Sequence, residues 1–214
     1  MDLLLPSWPL MAAFLAASVA LAVTPGPAVV YIVTRTLAQG RGAGFASLGG
    51  VALGNLGNAT GAALGLAALF AVSSLAFSVV KYAGAAYLVW LGIRALSAPA
   101  PRQADAHFGS ASLPRIFRDG FLVALLNPKT AIFFAAFLPQ FMDPVGSAAG
   151  QSLLLGAVFV FIAALTDAGY VLAAGLLAPL LLRMRGAAAA GRFVTAGAFI
   201  GLGVFTAMAG GRNR

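Results

Sequence analysis

The sequence has no cysteine and few charged residues. Without cysteine there is neither a disulfide framework nor a metal site held by thiolates. Only 8% of the 214 residues are charged, whereas a soluble globular domain has about a quarter. Hydrophobic residues make up 61% of the chain, and a chain of this size cannot bury so much apolar surface in one water-soluble core. The composition therefore excludes an ordinary soluble enzyme and a disordered segment, and indicates a protein embedded in lipid.

Long apolar stretches are abundant. A membrane-spanning helix needs about 20 apolar residues. Six candidate stretches run over about residues 9–34, 45–72, 75–96, 116–141, 151–182 and 189–209. We expect the first to be a membrane span and not a cleaved signal peptide, because the only early charge is Asp2 and the apolar run continues beyond Pro27. The prediction is an all-α membrane protein with six transmembrane helices, forming one transmembrane domain over residues 1–214.

The basic residues predict the orientation of these spans. Nine arginines follow spans one, three and five: Arg35, Arg41, Arg94, Arg102, Arg115, Arg118, Arg183, Arg185 and Arg192. Loops rich in lysine and arginine face the cytoplasm, so both termini are expected outside. Arg212 and Arg214 would be cytoplasmic only with five spans, and that alternative stays open. Membrane topology is sufficient to explain the net charge of +8, so no nucleic-acid partner is expected.

Prolines interrupt spans one and four at equivalent positions, in Thr24-Pro25-Gly26-Pro27 and Asn127-Pro128-Lys129. Proline removes a backbone donor and breaks or kinks a helix. Three spans per half require the second half to insert upside down. The sequence thus predicts an inverted repeat, with repeat one over 1–97, a linker over 98–114 and repeat two over 115–214. Paired interruptions of this kind indicate a transport site; the alternative is that each proline only kinks its helix.

Two charged residues, Lys129 and Asp167, lie deep within apolar stretches. A single charge at the bilayer centre costs at least about 2.5–3.5 kcal/mol, so such residues pair or face a cavity. We expect an ion pair between them, acting either as a fixed latch or as a pair that opens during transport. Asp167 is the better candidate for a proton carrier, since carboxylates form the proton relays of pumps and transporters.

Other polar and aromatic residues have less specific patterns. Asn55 and Asn58 lie in span two, where Asn58 continues a stripe of glycines with helical spacing, so it is expected to bond another helix or to line the site. Tyr170 shares a helix face with Asp167 and is expected to donate a hydrogen bond to it. His107 is expected to be solvated in the linker. The remaining aromatics are interpreted as interfacial anchors (Trp8, Tyr82, Tyr87, Trp90) or as lipid-facing or packing residues (Phe133, Phe134, Phe137, Phe141).

Five motifs along the chain are specific when taken together: Thr24–Pro27, Gly40–Gly44, Gly84–Leu88 with Leu91-Gly92, Asn127–Lys129 and Phe137–Phe141. In combination they resemble the lysine exporter (LysE-type) translocator family, which includes homoserine and threonine exporters. The resemblance runs nearly end to end. It implies a small exporter of amino acids or related metabolites in the bacterial inner membrane, driven by the proton gradient and dimeric. Ala28 departs from the family pattern, in which asparagine often follows the first motif.

The leading functional hypothesis is secondary active export, as a proton antiport, of a small solute with both an ammonium and a carboxylate. The helix breaks offer free amides and carbonyls to such a solute, Lys129 could hold its carboxylate, and Asp167 could exchange its ammonium for a proton. No cofactor is expected. The predicted substrate-binding residues are Thr24, Pro25, Gly26, Pro27, Asn58, Asn127, Pro128, Lys129, Asp167 and Tyr170, with Asp167 also coupling to the proton.

Three other classes of function are disfavoured by the sequence. A metal-ion exporter would need more ligands, because the spans hold no cysteine or histidine and, by this interpretation, only one carboxylate. A membrane-embedded enzyme would need a nucleophile–base pair or a metal cluster, and neither is found. A non-transporting assembly subunit would not need charges at depth. No phosphate-binding glycine loop is present, so any ATP-driven motor would be another chain.

Overall fold

The computed structural model describes residues 5–64, 74–97, 111–182 and 187–208, and these are almost entirely helical. Most of the predicted linker, with Arg102 and His107, lies outside the described residues, as do Arg183, Arg185, Arg212 and Arg214. The α-helices in the described part are α1 (Trp8–Val23), α2 (Pro27–Gln39), α3 (Arg41–Ala63), α4 (Ser74–Ser97), α5 (Leu113–Leu125), α6 (Pro128–Ile132), α7 (Ala148–Leu182) and α8 (Ala187–Met208). A π-helical turn over Phe133–Phe137 and a 3-10 turn over Leu138–Phe141 extend α6.

Close approaches at glycines establish how the helices run. Gly50 and Gly54 of α3 lie against the backbone of Phe117 and Phe121 of α5, so these two helices are parallel. Helix α3 is antiparallel to α7, and α4 is antiparallel to α8. Helices α2 and α4 therefore end where α3 and α5 begin. We call this the arginine-rich end; its residues are Arg35, Arg41, Arg94, Arg115 and Arg118.

Length and apolar composition identify the clearest membrane spans. Within the described ranges, the stretch Ala148–Pro179 of α7 is long and apolar enough to cross a bilayer by itself. Helices α1 and α2 pass the same test as a pair bent by 47°. The fold is thus all-α and suited to a membrane, whereas the count of six spans stays a prediction.

The first predicted helix break is confirmed, because α1 ends at Val23 and α2 begins at Pro27. A residue before proline is driven out of the α conformation, and Thr24, which precedes Pro25, is extended with ψ 117°. Gly26 is also extended. Pro27 is the first residue of α2, a position at which the missing N–H and the fixed φ of proline favour a new helix.

The second predicted break is also confirmed, between Leu125 and Pro128. Asn127 precedes the proline and is extended, with ψ 109°. Its side-chain oxygen accepts a hydrogen bond from the backbone N–H of Lys129, at 3.1 Å, and so caps α6. Each interrupted segment thus combines a proline with a residue that cannot continue the preceding helix.

Clusters of buried apolar side chains lie on both sides of the two helix breaks. On the side away from the arginines, the predicted packing role of Phe133 and Phe134 is confirmed, because both are buried against Phe159 of α7. Phe137 is about half exposed. Towards the arginine-rich end, a second cluster includes Tyr31 and Phe199. Buried apolar clusters therefore lie on both sides of the interrupted backbone.

Substituting Gly50 tests the close packing of α3 on α5. A Cβ at this position would collide with the carbonyl oxygen of Phe117. Gly50→Ala is expected to lower the free energy of unfolding in mixed micelles by about 1–3 kcal/mol, the usual cost of overpacking. Gly197→Ala in α8 is the control, because nothing lies within 4 Å of a Cβ there. Equal stability of the two variants would contradict the proposed contact.

Candidate functional site

A small cavity, lined by both apolar and polar residues, lies between the two helix breaks. Its volume is about 40 Å³, which is room for a few water molecules, since one needs about 10–15 Å³. Both interrupted segments contribute residues to its wall, together with α3 and α7. The lining residues are Leu21, Ala22, Thr24, Gly26, Ala28, Val29, Asn55, Asn127, Lys129, Thr130, Phe159, Ala163 and Asp167.

Lys129 connects the second break to the first. Its Nζ donates hydrogen bonds to the backbone oxygens of Leu21, at 2.7 Å, and of Thr24, at 2.5 Å. The last carbonyls of a helix have no partner within the helix, and a cation near a helix C-terminus is favoured by the helix dipole. The lysine thus satisfies backbone groups that the Pro25 break leaves free at the end of α1.

Other donors complete the end of α1. The hydroxyl of Tyr170, on α7, donates to the carbonyl oxygen of Val23 at 2.7 Å. The hydroxyl of Thr24 donates to the carbonyl oxygen of Ala20, also at 2.7 Å. The expected hydrogen bond from Tyr170 to Asp167 is therefore wrong, because the broken helix offers this hydroxyl a free carbonyl. In hydrocarbon, irregular backbone persists only where such partners or a cavity are available.

Asp167 faces the same cavity as Lys129 and is 5% exposed. Among the described residues, ion pairs within 4.0 Å are formed by Asp119 with Arg35 and Arg118. The expected direct ion pair between Lys129 and Asp167 is therefore wrong in this conformation. The carbonyls freed at the end of α1 bind the ammonium instead, and the two opposite charges attract each other without a direct bond.

The structure brings together half of the residues predicted to bind substrate. Thr24, Gly26, Asn127, Lys129 and Asp167 all line the cavity. The remaining five, Pro25, Pro27, Asn58, Pro128 and Tyr170, are not among its lining residues. The three prolines form the breaks themselves.

Asn58 has the first of its two expected roles, that of bonding another helix. Its Nδ2 donates to the carbonyl oxygen of Ala124 at 3.0 Å and joins α3 to α5. Ala124 lies just before the second break. Asn58 therefore supports the local backbone of α5 and does not reach the cavity.

Sequence reasoning missed two buried polar residues. Asn55 lines the cavity, is 5% exposed, and its Oδ1 has no hydrogen-bond partner. It lies three residues from Asn58, about 60° away around the helix axis, so the rotation of α3 decides which of them faces the cavity. Asp119 is fully buried on α5. The expectation of a single carboxylate within the spans is therefore wrong, and the available signal was its position inside the fourth apolar stretch.

Gly26 tests the placement of Lys129. A Cβ on Gly26 would lie 3.3 Å from the Cδ and 3.7 Å from the Nζ of Lys129. The backbone of Gly26 is extended, so a larger residue would crowd the lysine side chain without straining the backbone. Gly26→Val is expected to displace the lysine and to speed amide hydrogen exchange in residues 20–30 by about tenfold, because hydrogen bonds to a charged group are worth about 1.5–3 kcal/mol.

The matched control for this exchange measurement is Gly197→Val, which adds the same side chain at an open position of α8. It should leave the exchange of residues 20–30 unchanged. Equal exchange in the two variants would show that Lys129 does not protect the first break.

Comparison with known proteins is consistent with this architecture. The model of the LysE type translocator family matches residues 19–210. A homoserine/homoserine lactone efflux protein of Salmonella typhimurium is 34% identical over 158 residues, which cover 74% of this chain and 77% of that protein. A leucine efflux protein of Enterobacter sp. is 32% identical over 132 residues, covering 61% and 63%. An uncharacterized membrane protein of Vibrio cholerae is 35% identical over 158 residues, covering 74% and 77%.

No solved structure matches the chain. The predicted multi-pass membrane location is confirmed by these bacterial relatives, as is the prediction that the chain is a transporter and not an enzyme. The family match covers most of the chain and includes both helix breaks. The chain belongs to the LysE type translocator family.

Proposed function

We propose that this protein is a secondary active exporter of amino acids or closely related small metabolites, coupled to protons across the cytoplasmic membrane. The observation that carries the proposal is that Lys129 and Asp167 face one cavity between two interrupted helices. Relatives named as homoserine and leucine efflux proteins support this substrate class. A zwitterion needs both a cationic and an anionic partner, and the cavity has one of each.

The cavity residues support a specific orientation of the substrate. Helix α2 begins at the cavity without a side-chain cap on its first N–H groups, so its positive end favours an anion there. The substrate carboxylate would bind between this helix end and the Lys129 ammonium. The substrate ammonium would bind Asp167 and the unpartnered Oδ1 of Asn55. Both ends of a zwitterion would then be satisfied inside the membrane.

Proton coupling follows from competition at Asp167. When a substrate ammonium is bound, the carboxylate remains charged; when the substrate leaves, a proton can take its place. The return of the empty carrier would then not require a bare carboxylate to cross the low-dielectric interior, which is costly. Outward movement of substrate would be exchanged for inward movement of a proton.

We also propose that the chain consists of two inverted halves, residues 1–97 and 115–214, joined by the linker 98–114. The helix contacts support this arrangement. In the first half α3 packs on α5, the broken segment of the second half; in the second half α7 packs on α1 and α2, the broken segment of the first. The last helices of the halves, α4 and α8, pack on each other. The dimer implied by the family resemblance stays a prediction.

The alternatives considered from the sequence lack support. No three histidine, cysteine, aspartate or glutamate side chains in the described part of the chain are grouped as a metal site. The relatives with named functions are efflux proteins of organic solutes. A metal-ion exporter and a passive assembly subunit are therefore not proposed.

Asp167→Asn tests proton coupling. In proteoliposomes loaded with one radiolabelled amino acid at a time, the wild-type protein should show counterflow that a pH gradient stimulates. Asparagine cannot exchange a proton, so the rate of pH-driven counterflow should fall by about tenfold or more in this variant. A tenfold loss is expected when a charged partner worth at least about 1.4 kcal/mol is removed. Asp143→Asn is the control, because Asp143 lies in the loop before α7, outside the cavity lining.

Two results would contradict this role for Asp167. One is pH-stimulated export by Asp167→Asn at the wild-type rate. The other is an equal loss in Asp143→Asn, which would show that any loss of negative charge impairs the protein.

Cysteine labelling tests the inverted topology, since the natural chain has no cysteine. Arg41→Cys and Leu113→Cys lie at the arginine-rich end, whereas Val145→Cys lies at the other end and is 86% exposed. A membrane-impermeant thiol reagent should label the first two only from the cytoplasmic side and the third only from outside. Labelling of Arg41→Cys and Leu113→Cys from opposite sides would exclude the proposed arrangement of the two halves.

A further inference from the structure

A second polar cluster lies at the arginine-rich end, away from the cavity lining. Its centre is the carboxylate of Asp119 on α5, which has no exposed surface. Oδ1 accepts hydrogen bonds from the hydroxyl of Tyr87, at 3.1 Å, and from Nη2 of Arg118, at 3.3 Å. Oδ2 lies 4.0 Å from Nη2 of Arg35. Tyr87, expected from the sequence to be an interfacial anchor, is therefore part of a buried contact between helices.

The cluster links the two half-helices that border the cavity. Arg35 lies on α2, which begins at the first break, and Asp119 lies on α5, which ends at the second. Each residue is eight positions from its break, or about 12 Å along the helix axis. The hydroxyl of Tyr31 on α2 also donates to the carbonyl oxygen of Ile116 on α5, at 2.9 Å. Tyr87 adds α4 to the same layer.

Aromatic rings fill the space around this carboxylate. Tyr87 stacks on Trp90, with ring centroids 5.4 Å apart. The Arg35 guanidinium lies 5.3 Å from the centroid of Tyr31, and that of Arg94 lies 4.7 Å from the centroid of Trp90. These side chains form a layer that joins α2, α4 and α5 on the arginine-rich side of the two breaks.

Some buried polar atoms in this layer lack hydrogen-bond partners. Oδ2 of Asp119, Nε of Arg35 and Nη1 of Arg94 are buried and have no hydrogen-bond partner. An unpartnered buried polar group is costly, and water reaching it removes that cost. Opening this layer would therefore hydrate groups that are poorly satisfied when it is closed. By contrast, the phenylalanine cluster on the other side of the cavity would gain nothing from water.

We propose that Asp119, with Arg35 and Tyr87, is the latch of a gate that closes the cavity at its arginine-rich end. Releasing the carboxylate separates α2 and α5 and admits solute to the cavity from that side. Asp119 is thus a positioning residue for transport and does not touch the substrate. The inference rests on the proposed export function for its consequence, but the following test requires no substrate.

The test measures access to the cavity from each side of the membrane. Ala28, which lines the cavity, is replaced by cysteine, and a membrane-impermeant thiol reagent is applied to membrane vesicles of both orientations. Asp119→Asn should raise the labelling rate at position 28 from the arginine-rich side by about tenfold, the change expected when bonds to a charged group are weakened. Labelling from the other side should stay unchanged.

Further variants distinguish opening of the gate from a general loss of helix packing. Tyr87→Phe removes one donor and should give a smaller increase from the same side, which keeps the test available if Asp119→Asn folds poorly. Asp119→Glu keeps the negative charge and should be labelled at position 28 as slowly as the protein with Asp119. Asp143→Asn should leave this labelling rate unchanged. Unchanged labelling in both Asp119→Asn and Tyr87→Phe, or equal increases from both sides, would overturn the gate. Failure of the export proposal would instead appear as absent counterflow in the wild-type protein.

Discussion

The bonds from the ammonium of Lys129 to the carbonyl oxygens of Leu21 and Thr24 connect the two halves of the chain at the level where both helices are interrupted. In a bilayer, free backbone groups are tolerated only when they find partners or water. The first break frees carbonyls at the end of α1, and the second places a lysine where it reaches them. Each break therefore depends on the other.

This dependence also explains why the cavity lies where it does. The prolines prevent the helices from continuing, so backbone and side chains diverge and leave a small volume between α2, α3 and α7, into which a few polar side chains project. Lys129 and Asp167 both line this volume without forming a direct ion pair, and the Lys129 ammonium is engaged by the carbonyls. In the proposed mechanism, a solute that carries both charges competes for both partners, whereas a tight lysine–aspartate pair would have to be broken first.

The sequence predicts the location of the site better than its contacts. Proline positions were sufficient to locate both breaks, since the effect of proline on the preceding residue is local. The positions of Lys129 and Asp167 deep within apolar stretches were sufficient to identify them as the charged residues of the candidate site. Their partners were not predictable, because the carbonyls that bind Lys129 become free only when the two breaks meet in the folded protein. For the same reason the partner of Tyr170 was wrongly predicted.

Two further differences between prediction and structure concern the asparagines of α3 and the carboxylate of Asp119. The first depends on how α3 is rotated, and the second on where the apolar stretch of α5 begins. Asn55 and Asn58 are three residues apart on α3, and sequence periodicity does not determine which of them faces the cavity and which faces α5. Asp119 lies near the start of its apolar stretch, next to Arg118, where a charge is ordinarily solvated. Only the packing of α2 and α4 against α5 shows that its carboxylate is buried.

The role of Lys129 is tested most directly by amino-acid counterflow in proteoliposomes that contain the Lys129→Met variant. The folding of this variant is checked separately in detergent. The control is Lys81→Met, which removes the only other lysine of the sequence. If Lys129 joins the two breaks and binds the substrate carboxylate, Lys129→Met should still insert, but it should exchange the amides of residues 20–30 faster than the wild-type protein and lose counterflow. Lys81→Met should retain wild-type exchange and counterflow. Wild-type counterflow by Lys129→Met would contradict the account.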